Sequence, residues 1–255
     1  MRQQSKKIIE VKGKQIGGRI PLVCLPLVAD NRADLIGQVR ESVALGPDML
    51  EWRLDGYGLV ENVDNSLTTL RAICDAAGNI PLLATCRMYA EGGIKDISPG
   101  NRERILSVVA ESGLVDIVDV EMRNGRGFVD KVKQAAQVGR AKIILSYHNF
   151  TQTPDEKFLV EKLMLGQKMG GDISKVAVMP KNPTDVLTLL EATTRARNGK
   201  VQIPIVTVSM GVKGKITRLA GGLFGSDITF AAGTESSAPG QIHIADLRQG
   251  MEVIY

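Results

Sequence analysis

The chain has 255 residues, 44% of them hydrophobic and only 4% aromatic, so it can bury a substantial core built mainly from aliphatic side chains. The formal net charge is +4, but Lys and Arg are scattered among Asp and Glu, which argues against a nucleic-acid partner. The N-terminus lacks the apolar segment of a signal peptide, and no uncharged apolar run reaches the roughly 18 residues of a membrane helix. We therefore expect a cytoplasmic protein with no membrane partner, whose three cysteines stay reduced.

Strand-like and helix-like segments alternate along the chain. Residues 1–19 come first and contain "IIEVKGKQIGG", which has the pattern of a β-hairpin. Segments with helical periodicity, several with a cap residue at the start and glycine at the end, separate the strands. Eight such pairs over about 250 residues predict one (β/α)8 TIM barrel domain spanning residues 1–255, with the N-terminal hairpin covering one end. An open, doubly wound sheet is the alternative. The predicted strands are residues 20–28, 49–55, 80–87, 114–122, 141–150, 173–180, 202–210 and 227–233.

Polar side chains on five neighbouring predicted strands share one face of each strand. Alternate residues along a barrel strand point inward, so this face can line the interior. Because isolated buried charges are costly, a barrel built only for stability would carry aliphatic residues here. The cluster therefore predicts a reaction site, and the structural alternative is an ion network that satisfies itself. Its members are Glu51, Arg53, Arg87, Asp119, Glu121, Ser146, His148 and Lys175.

Lys175 lies near the start of the strand-like stretch "ISKVAVMP". Burial, together with the positive charge of Arg53 or Arg87, disfavours the ammonium form and leaves an amine that can attack a carbonyl carbon. The pattern therefore predicts a Schiff-base lysine. The alternative is a side chain that extends from the bottom of the barrel to solvent.

The chain has two histidines, and they differ in setting. His148 lies late in the fifth predicted strand, at the end of a barrel where active sites lie, and is a candidate acid or base. His243 lies in a C-terminal helical pattern, which favours a structural role. The pair lacks the spacing of a zinc site, and Mg²⁺ on the carboxylates would compete with three cations, so we expect no metal and no cofactor.

Three acidic residues near this cluster have a second interpretation. Asp119 and Glu121 can act by orienting their neighbours alone. Asp55, at the end of the second predicted strand, is more typical of a cap or turn residue.

Six motifs occur in the order and spacing of a known family. Through them the chain resembles type I 3-dehydroquinate dehydratase along nearly its whole length from the first barrel strand onward. The resemblance implies a (β/α)8 barrel, generally a homodimer, that converts the small molecule 3-dehydroquinate to 3-dehydroshikimate in the shikimate pathway. It also implies syn elimination of water through an imine. The motifs are "EWR" (51–53), "CRMYAEGG" (86–93), "SYHNF" (146–150), "SKVAVMP" (174–180), "TRLAGGLFGS" (217–226) and "SAPGQI" (237–242).

The resemblance also implies a role for individual residues. Lys175 would be the Schiff-base lysine and His148 the general base and acid, with Glu91 in the loop after the third strand assisting the histidine. Three residues would contact substrate hydroxyl groups: Glu51, Arg53 and Arg87. Three more would engage the carboxylate and nearby hydroxyl groups, the last two from a loop "ESSAPGQ" that closes over the site: Arg218, Ser237 and Gln241.

Two positions depart from the family pattern. Asn149 follows the histidine where Asp is more usual, and Pro26 offers no hydroxyl group where some members have Ser. Both changes put secondary contacts in doubt and leave the lysine and histidine intact. Two other functions remain open: a class I aldolase, which would use the same lysine to cleave a carbon–carbon bond, and a metabolite-binding barrel without catalysis.

Overall fold

The computed structural model describes residues 2–234 and 237–255. A two-stranded antiparallel hairpin, β1 (Ile9–Val11) and β2 (Lys14–Ile16), precedes eight parallel strands. Neighbouring parallel strands follow one another in sequence, and β10 returns to pair with β3, as a barrel requires. The (β/α)8 prediction is confirmed. The parallel strands are β3 (Leu22–Leu27), β4 (Met49–Arg53), β5 (Leu82–Thr85), β6 (Ile117–Glu121), β7 (Lys142–Asn149), β8 (Ile173–Val178), β9 (Ile205–Ser209) and β10 (Ile228–Phe230).

One helix follows each parallel strand, and most helices have a side-chain N-cap. Asn31, Asn62, Ser98, Asp155 and Asn182 each accept a hydrogen bond from a backbone N–H in the first helical turn. Short 3₁₀ turns follow β4, β5, β6 and β9 before the next helix begins. The helices are α1 (Arg32–Ala44), α2 (Val63–Ala77), α3 (Pro99–Glu111), α4 (Arg126–Gly139), α5 (Glu156–Lys168), α6 (Pro183–Asn198), α7 (Lys215–Phe224) and α8 (Ile244–Ile254).

The predicted strand boundaries were too long at several ends. The second strand was predicted to reach residue 55, but β4 ends at Arg53 because the chain turns there into a 3₁₀ helix, Leu54–Gly56. Leu54 stays fully buried after the strand ends. Apolar residues in a sequence indicate which positions are buried. In this barrel the turns after the strands are buried as well, so the apolar pattern does not show where a strand ends.

Apolar side chains form two layers, one on the outer and one on the inner face of the barrel strands. The outer layer packs strand residues such as Leu50 and Val118 against the helices. The inner layer fills the lower barrel with residues such as Ile117 and Ile173. Ile16 of the hairpin belongs to the inner layer and is 1% exposed, so the hairpin covers the N-terminal end of the barrel as predicted. No helix in the described part of the chain combines the length and the apolar character needed to cross a membrane.

An aspartate stands immediately before every second barrel strand. Each is followed by Met or Ile, and each carboxylate accepts a hydrogen bond from a backbone N–H at the start of the preceding strand. This repeated contact fixes the register of strand pairs at the N-terminal end of the barrel. The pairs are Asp48 with Val23 (2.9 Å), Asp116 with Leu82 (2.8 Å), Asp172 with Ile143 (2.9 Å) and Asp227 with Ile205 (2.8 Å).

The last of these aspartates lies at the seam of the barrel, between β9 and β10. These two strands form no regular ladder within the described residues, although they are neighbours. Asp227 and Ser226 close the seam instead, through hydrogen bonds to the backbone of Ile205 and Thr207. Two buried guanidinium groups bind the same aspartate, those of Arg2 and Arg197.

Candidate active site

A cavity opens at the C-terminal ends of the strands, and every residue predicted to act at the site lines it. Apolar side chains such as Met210 and Phe230 complete the wall. Two residues of the predicted closing loop, Glu235 and Ser236, fall outside the described residues. The nine predicted residues are Lys175, His148, Glu91, Glu51, Arg53, Arg87, Arg218, Ser237 and Gln241.

Lys175 points into this cavity from β8 and is 5% exposed, so the alternative of a side chain that reaches solvent is wrong. Its Nζ lies 3.1 Å from Asp119 Oδ2 on β6 and 4.4 Å from the centre of the Phe230 ring. The sequence argument considered only cations near the amine. The charge that contacts the amine is instead a carboxylate two strands away, and this contact holds the lysine side chain in place.

Asp119 is the centre of a buried ion network. Arg87 forks onto its two oxygens at 3.0 and 2.9 Å, and Ser146 also donates to it. Arg87 reaches Glu121 Oε1 at 2.7 Å. Burial alone would raise the pKa of Asp119, but the charges of Arg87 and Lys175 hold it well below its ordinary value. This part of the cluster does satisfy itself, and both carboxylates orient their neighbours.

His148 and Glu91 form a second pair in the same cavity. Glu91 Oε2 accepts a hydrogen bond from the backbone N–H of His148 at 2.8 Å and lies 3.1 Å from its Nδ1. Burial, then the charges of Arg87 and Lys175, lower the pKa of His148 well below its usual value. Burial and the negative charge of Glu121 raise the pKa of Glu91 to about 7. The imidazole is therefore neutral near pH 7 and can accept a proton.

Glu91 Oε1 is buried and has no hydrogen-bond partner in the described part of the chain. A buried oxygen without a partner costs free energy, and this one faces a cavity in which a donor group of a ligand can reach it.

Arg218 is a buried cation whose partners among residues 2–234 and 237–255 are neutral. From α7 it donates to the carbonyl oxygens of Phe230 and Pro239, each at 3.0 Å. Its Nε finds no partner among the described residues, and burial lowers its pKa to about 10. Within the part of the chain that the structure describes, this guanidinium has no carboxylate partner, and a positive charge of this kind is what an anion-binding position needs.

The loop of residues 237–241 packs directly beside Arg218. Gln241 Oε1 accepts hydrogen bonds from the backbone N–H groups of Ser237 (2.8 Å) and Ala238 (3.2 Å). Gly240 lies against the backbone of Gly211, where a Cβ atom would clash. The described part of the loop is therefore docked at the mouth of the cavity, with Ser237 and Gln241 on its inner side.

Glu51 and Arg53 reach the cavity from β4. Thr85 donates to Glu51 Oε1 at 2.7 Å. Arg53 forks onto Asp55 at 3.0 and 2.7 Å. Asp55 was interpreted as a cap or turn residue; it does lie in a 3₁₀ turn, but it is 0% exposed and ion-paired.

Sequence reasoning did not single out the apolar walls of the site. Phe230, which stacks on the lysine amine, lies on β10 with the same inward parity as Ile228, so the alternation in "DITFAAG" was the available signal. Of the two departures, Pro26 lines the cavity, whereas Asn149 accepts hydrogen bonds from the backbone N–H groups of Thr151 and Gln152 and shapes a turn. His243 caps α8, in keeping with a structural role.

Within the described residues, no group of three or more His, Cys, Asp or Glu side chains is arranged to hold a metal ion. The arrangement is instead that of an amine, a neutral imidazole and an anion-binding guanidinium around one enclosed space. Such a set can form an imine with a carbonyl compound and move a proton beside it.

Comparison with known proteins agrees with this geometry. The type I 3-dehydroquinase family matches residues 23–255, and the chain belongs to this family. A 3-dehydroquinate dehydratase of Albidiferax ferrireducens is 41% identical over 98% of this chain and 96% of its own length. The crystal structure of 3-dehydroquinate dehydratase from Geobacillus kaustophilus is 39% identical, covers 98% of this chain and 96% of its own, and superimposes with a TM-score of 0.95.

A type I 3-dehydroquinate dehydratase from Clostridium difficile, solved with covalently modified comenic acid, gives a TM-score of 0.94 at 37% identity. It covers 99% of this chain and 98% of its own.

Proposed function

We propose that this protein is a carbon–oxygen lyase that dehydrates 3-dehydroquinate to 3-dehydroshikimate, the third step of the shikimate pathway, through a Schiff base on Lys175. The observation that carries the proposal is the enclosure of one amine, 5% exposed, in the same cavity as a neutral imidazole. Family membership and relatives of the same name at about 40% identity support the overall reaction.

The amine of Lys175 adds to the ketone carbon of the substrate, and loss of one water gives a protonated imine. Before this step the amine gives up a proton, which the neutral imidazole of His148 can accept. The imidazole returns this proton to the hydroxyl group that leaves as water when the imine forms, and it is then neutral again. The protonated imine then withdraws electrons from the neighbouring carbon–hydrogen bond, so that the proton on that carbon becomes acidic enough for His148 to remove.

The electrons of the broken carbon–hydrogen bond enter the imine and form an enamine. Their return expels the hydroxyl group on the next carbon, which leaves as water with the proton that His148 carries. Hydrolysis of the conjugated imine consumes one water, releases 3-dehydroshikimate and restores the amine. The net change is the loss of one water, and the balance requires no oxidant or reductant.

The two strands that carry these residues support the geometry. In the register of β7 and β8, Ser146 lies opposite Lys175, and His148 is two residues further along the same face of β7. Glu91 holds the imidazole through its Nδ1, which leaves Nε2 to exchange protons with the substrate. General acid–base help contributes about 10² to 10⁴-fold, so imine formation and positioning must supply the remaining rate enhancement.

Substrate recognition follows from the other lining residues. Arg218, with its unmatched charge, binds the substrate carboxylate, and the docked loop brings Ser237 and Gln241 beside it. Three other lining residues contact the hydroxyl groups of the substrate, on the side of the cavity away from Arg218: Glu51, Arg53 and Arg87. The docked loop limits the access of water to the cavity, which strengthens each of these contacts. We also propose that residues 1–255 act as one domain, that the protein is cytoplasmic, and that it forms a homodimer like the family in general.

The test is turnover by matched variants. Incubation with 3-dehydroquinate should produce the ultraviolet absorbance of the conjugated enone product. Lys175→Ala should abolish this signal and His148→Ala should reduce it at least about 10²-fold. Lys142→Ala, on the neighbouring strand but at its opposite end, should keep wild-type activity. Appreciable dehydration by Lys175→Ala would refute the covalent role, and carbon–carbon cleavage in place of dehydration would support the aldolase.

A further inference from the structure

Asp55 is a buried carboxylate for which the proposed reaction has no use. It lies in the 3₁₀ turn after β4, is 0% exposed, and is not among the described residues that line the cavity. Both of its oxygens accept two hydrogen bonds each. A buried carboxylate that accepts four hydrogen bonds is fully satisfied, so Asp55 can act only through the groups that it holds in place.

Two of the four donors are backbone N–H groups at the ends of one loop. The N–H of Arg87 reaches Oδ1 at 3.1 Å, and the N–H of Ile94 reaches Oδ2 at 3.0 Å. Between these two residues lies the short 3₁₀ turn Tyr89–Glu91. One carboxylate therefore ties together the start and the end of the loop that carries Glu91.

The loop itself is compact. The N–H groups of Glu91 and Gly93 both donate to the carbonyl oxygen of Met88, each at 3.0 Å. Gly93 lies against the carbonyl oxygen of Arg87, where a Cβ atom would clash. Asp55 ties both ends of the loop, and the middle is folded on itself, so the path of the chain at Glu91 depends on this carboxylate. Within the loop, the N–H of Met88 makes a further contact, to Glu121 Oε1 at 3.2 Å.

The remaining two donors belong to the guanidinium of Arg53. It forks onto Asp55 with Nε and Nη2, and Nη2 also donates to the carbonyl oxygen of Gly92 at 3.3 Å. Asp55 thus orients a cavity-lining cation and, through it, makes a third attachment to the same loop.

We propose that Asp55 is a positioning residue, which sets the loop so that Glu91 meets His148 and which aims Arg53 at the substrate. Glu91 Oε2 contacts both the backbone N–H and the Nδ1 of His148, at 2.8 and 3.1 Å, and both contacts depend on the path of the loop. The inference rests on the proposed dehydratase function. It adds a residue outside the cavity whose removal should damage proton transfer and leave the lysine chemistry in place.

The first variant is Asp55→Asn, which keeps the size of the side chain but turns one acceptor oxygen into a donor facing two donors. A displacement of about 1 Å in a catalytic group costs on the order of 10²-fold in rate, so kcat should fall by about that factor while KM rises only a few-fold. The yield of product trapped on Lys175 by borohydride should stay within about threefold of wild type, because Asp55 does not contact the lysine.

A double-mutant cycle separates positioning of Glu91 from general damage. If Asp55 acts through Glu91, then Asp55→Asn added to Glu91→Ala should lower kcat by no more than about threefold beyond Glu91→Ala alone. The matched control is Asp172→Asn. The carboxylate of Asp172 also accepts a hydrogen bond from a backbone N–H, but it lies at the other end of the barrel. The kcat of this variant should match wild type.

Should Asp55→Asn fail to fold, an ester in place of the Ile94 amide removes one N–H donor without changing any charge. It should lower kcat about tenfold with trapping retained. Unchanged kcat in either variant, full additivity in the cycle, or loss of trapping in step with kcat would overturn the proposal. If the wild-type protein does not dehydrate 3-dehydroquinate, the proposed function fails first, and this outcome is distinct from an active wild type with an equally active Asp55→Asn.

Discussion

Replacing Glu91 by Gln should stabilise the protein above pH 7 and inactivate it at the same time. Burial raises the pKa of Glu91 from 4.5 to about 7. Between these two values the folded state binds more protons than the unfolded state, so the wild-type protein loses stability as the pH rises across this window. The amide that replaces the carboxyl group does not titrate, so the variant does not lose this part of its stability as the pH rises.

The size of the stability difference follows from the size of the pKa shift of Glu91. Each pKa unit corresponds to about 1.4 kcal/mol, so ionised Glu91 costs the folded state at most about 3 kcal/mol above pH 7. His148 titrates in both proteins, and its contribution largely cancels from the difference. For a chain of this length we expect the thermal midpoint of Glu91→Gln to lie about 3 to 10 °C above wild type at pH 8, with little difference at pH 4.

The assay is urea and thermal unfolding of both proteins at pH 4, 6 and 8, together with kcat at pH 8. The control is Glu252→Gln, which makes the same chemical change at an exposed position on α8 and should leave kcat at the wild-type value. A stability difference that is the same at pH 4 and pH 8, or a wild type that is the more stable protein at pH 8, would contradict the reasoning about burial. The kcat of Glu91→Gln should fall at least about 10²-fold.

Three further substitutions test other parts of the structure. Arg218→Lys keeps the charge but loses the fork, so KM should rise about tenfold or more with a smaller change in kcat; a KM equal to wild type would exclude the carboxylate contact. Asp227→Asn leaves two buried guanidinium groups without their carboxylate and should cost about 3 kcal/mol or more in urea unfolding, against about 1 kcal/mol for Asp172→Asn. Gly93→Ala should displace the Glu91 loop from the carbonyl of Arg87 and lower kcat, and full activity would show that the loop tolerates the shift.

The barrel could be predicted from the sequence because the same alternation of a strand pattern and a helix pattern occurs eight times along the chain. Each strand supplies an apolar outer face, and the alternation on β4 and β6 to β8 assigned Glu51, Asp119, His148 and Lys175 to the interior without any three-dimensional information. Glu91, Arg218, Ser237 and Gln241 lie on loops or a helix, where no periodicity operates. Only the resemblance to a family pointed to them.

Contacts between distant residues could not be predicted in this way. Parity places Asp119 and Lys175 inside the barrel, but the contact between them crosses from β6 to β8 and depends on side-chain length and rotamer. The same holds for Asp55, which looks like a turn residue in sequence because its two backbone partners, Arg87 and Ile94, lie more than 30 positions away. The sequence analysis did not identify the aspartates before alternate strands, because their shared hydrogen bond becomes apparent only once the strands are paired.

The most direct test of the account is the site of covalent attachment. The protein is incubated with 3-dehydroquinate, reduced with borohydride, digested and analysed by mass spectrometry. We predict one adduct, carrying the mass of the reduced substrate or product, on the peptide that contains Lys175 and on no other lysine. An adduct elsewhere, or active enzyme that yields no adduct at all, would contradict the claim that this buried amine forms the imine.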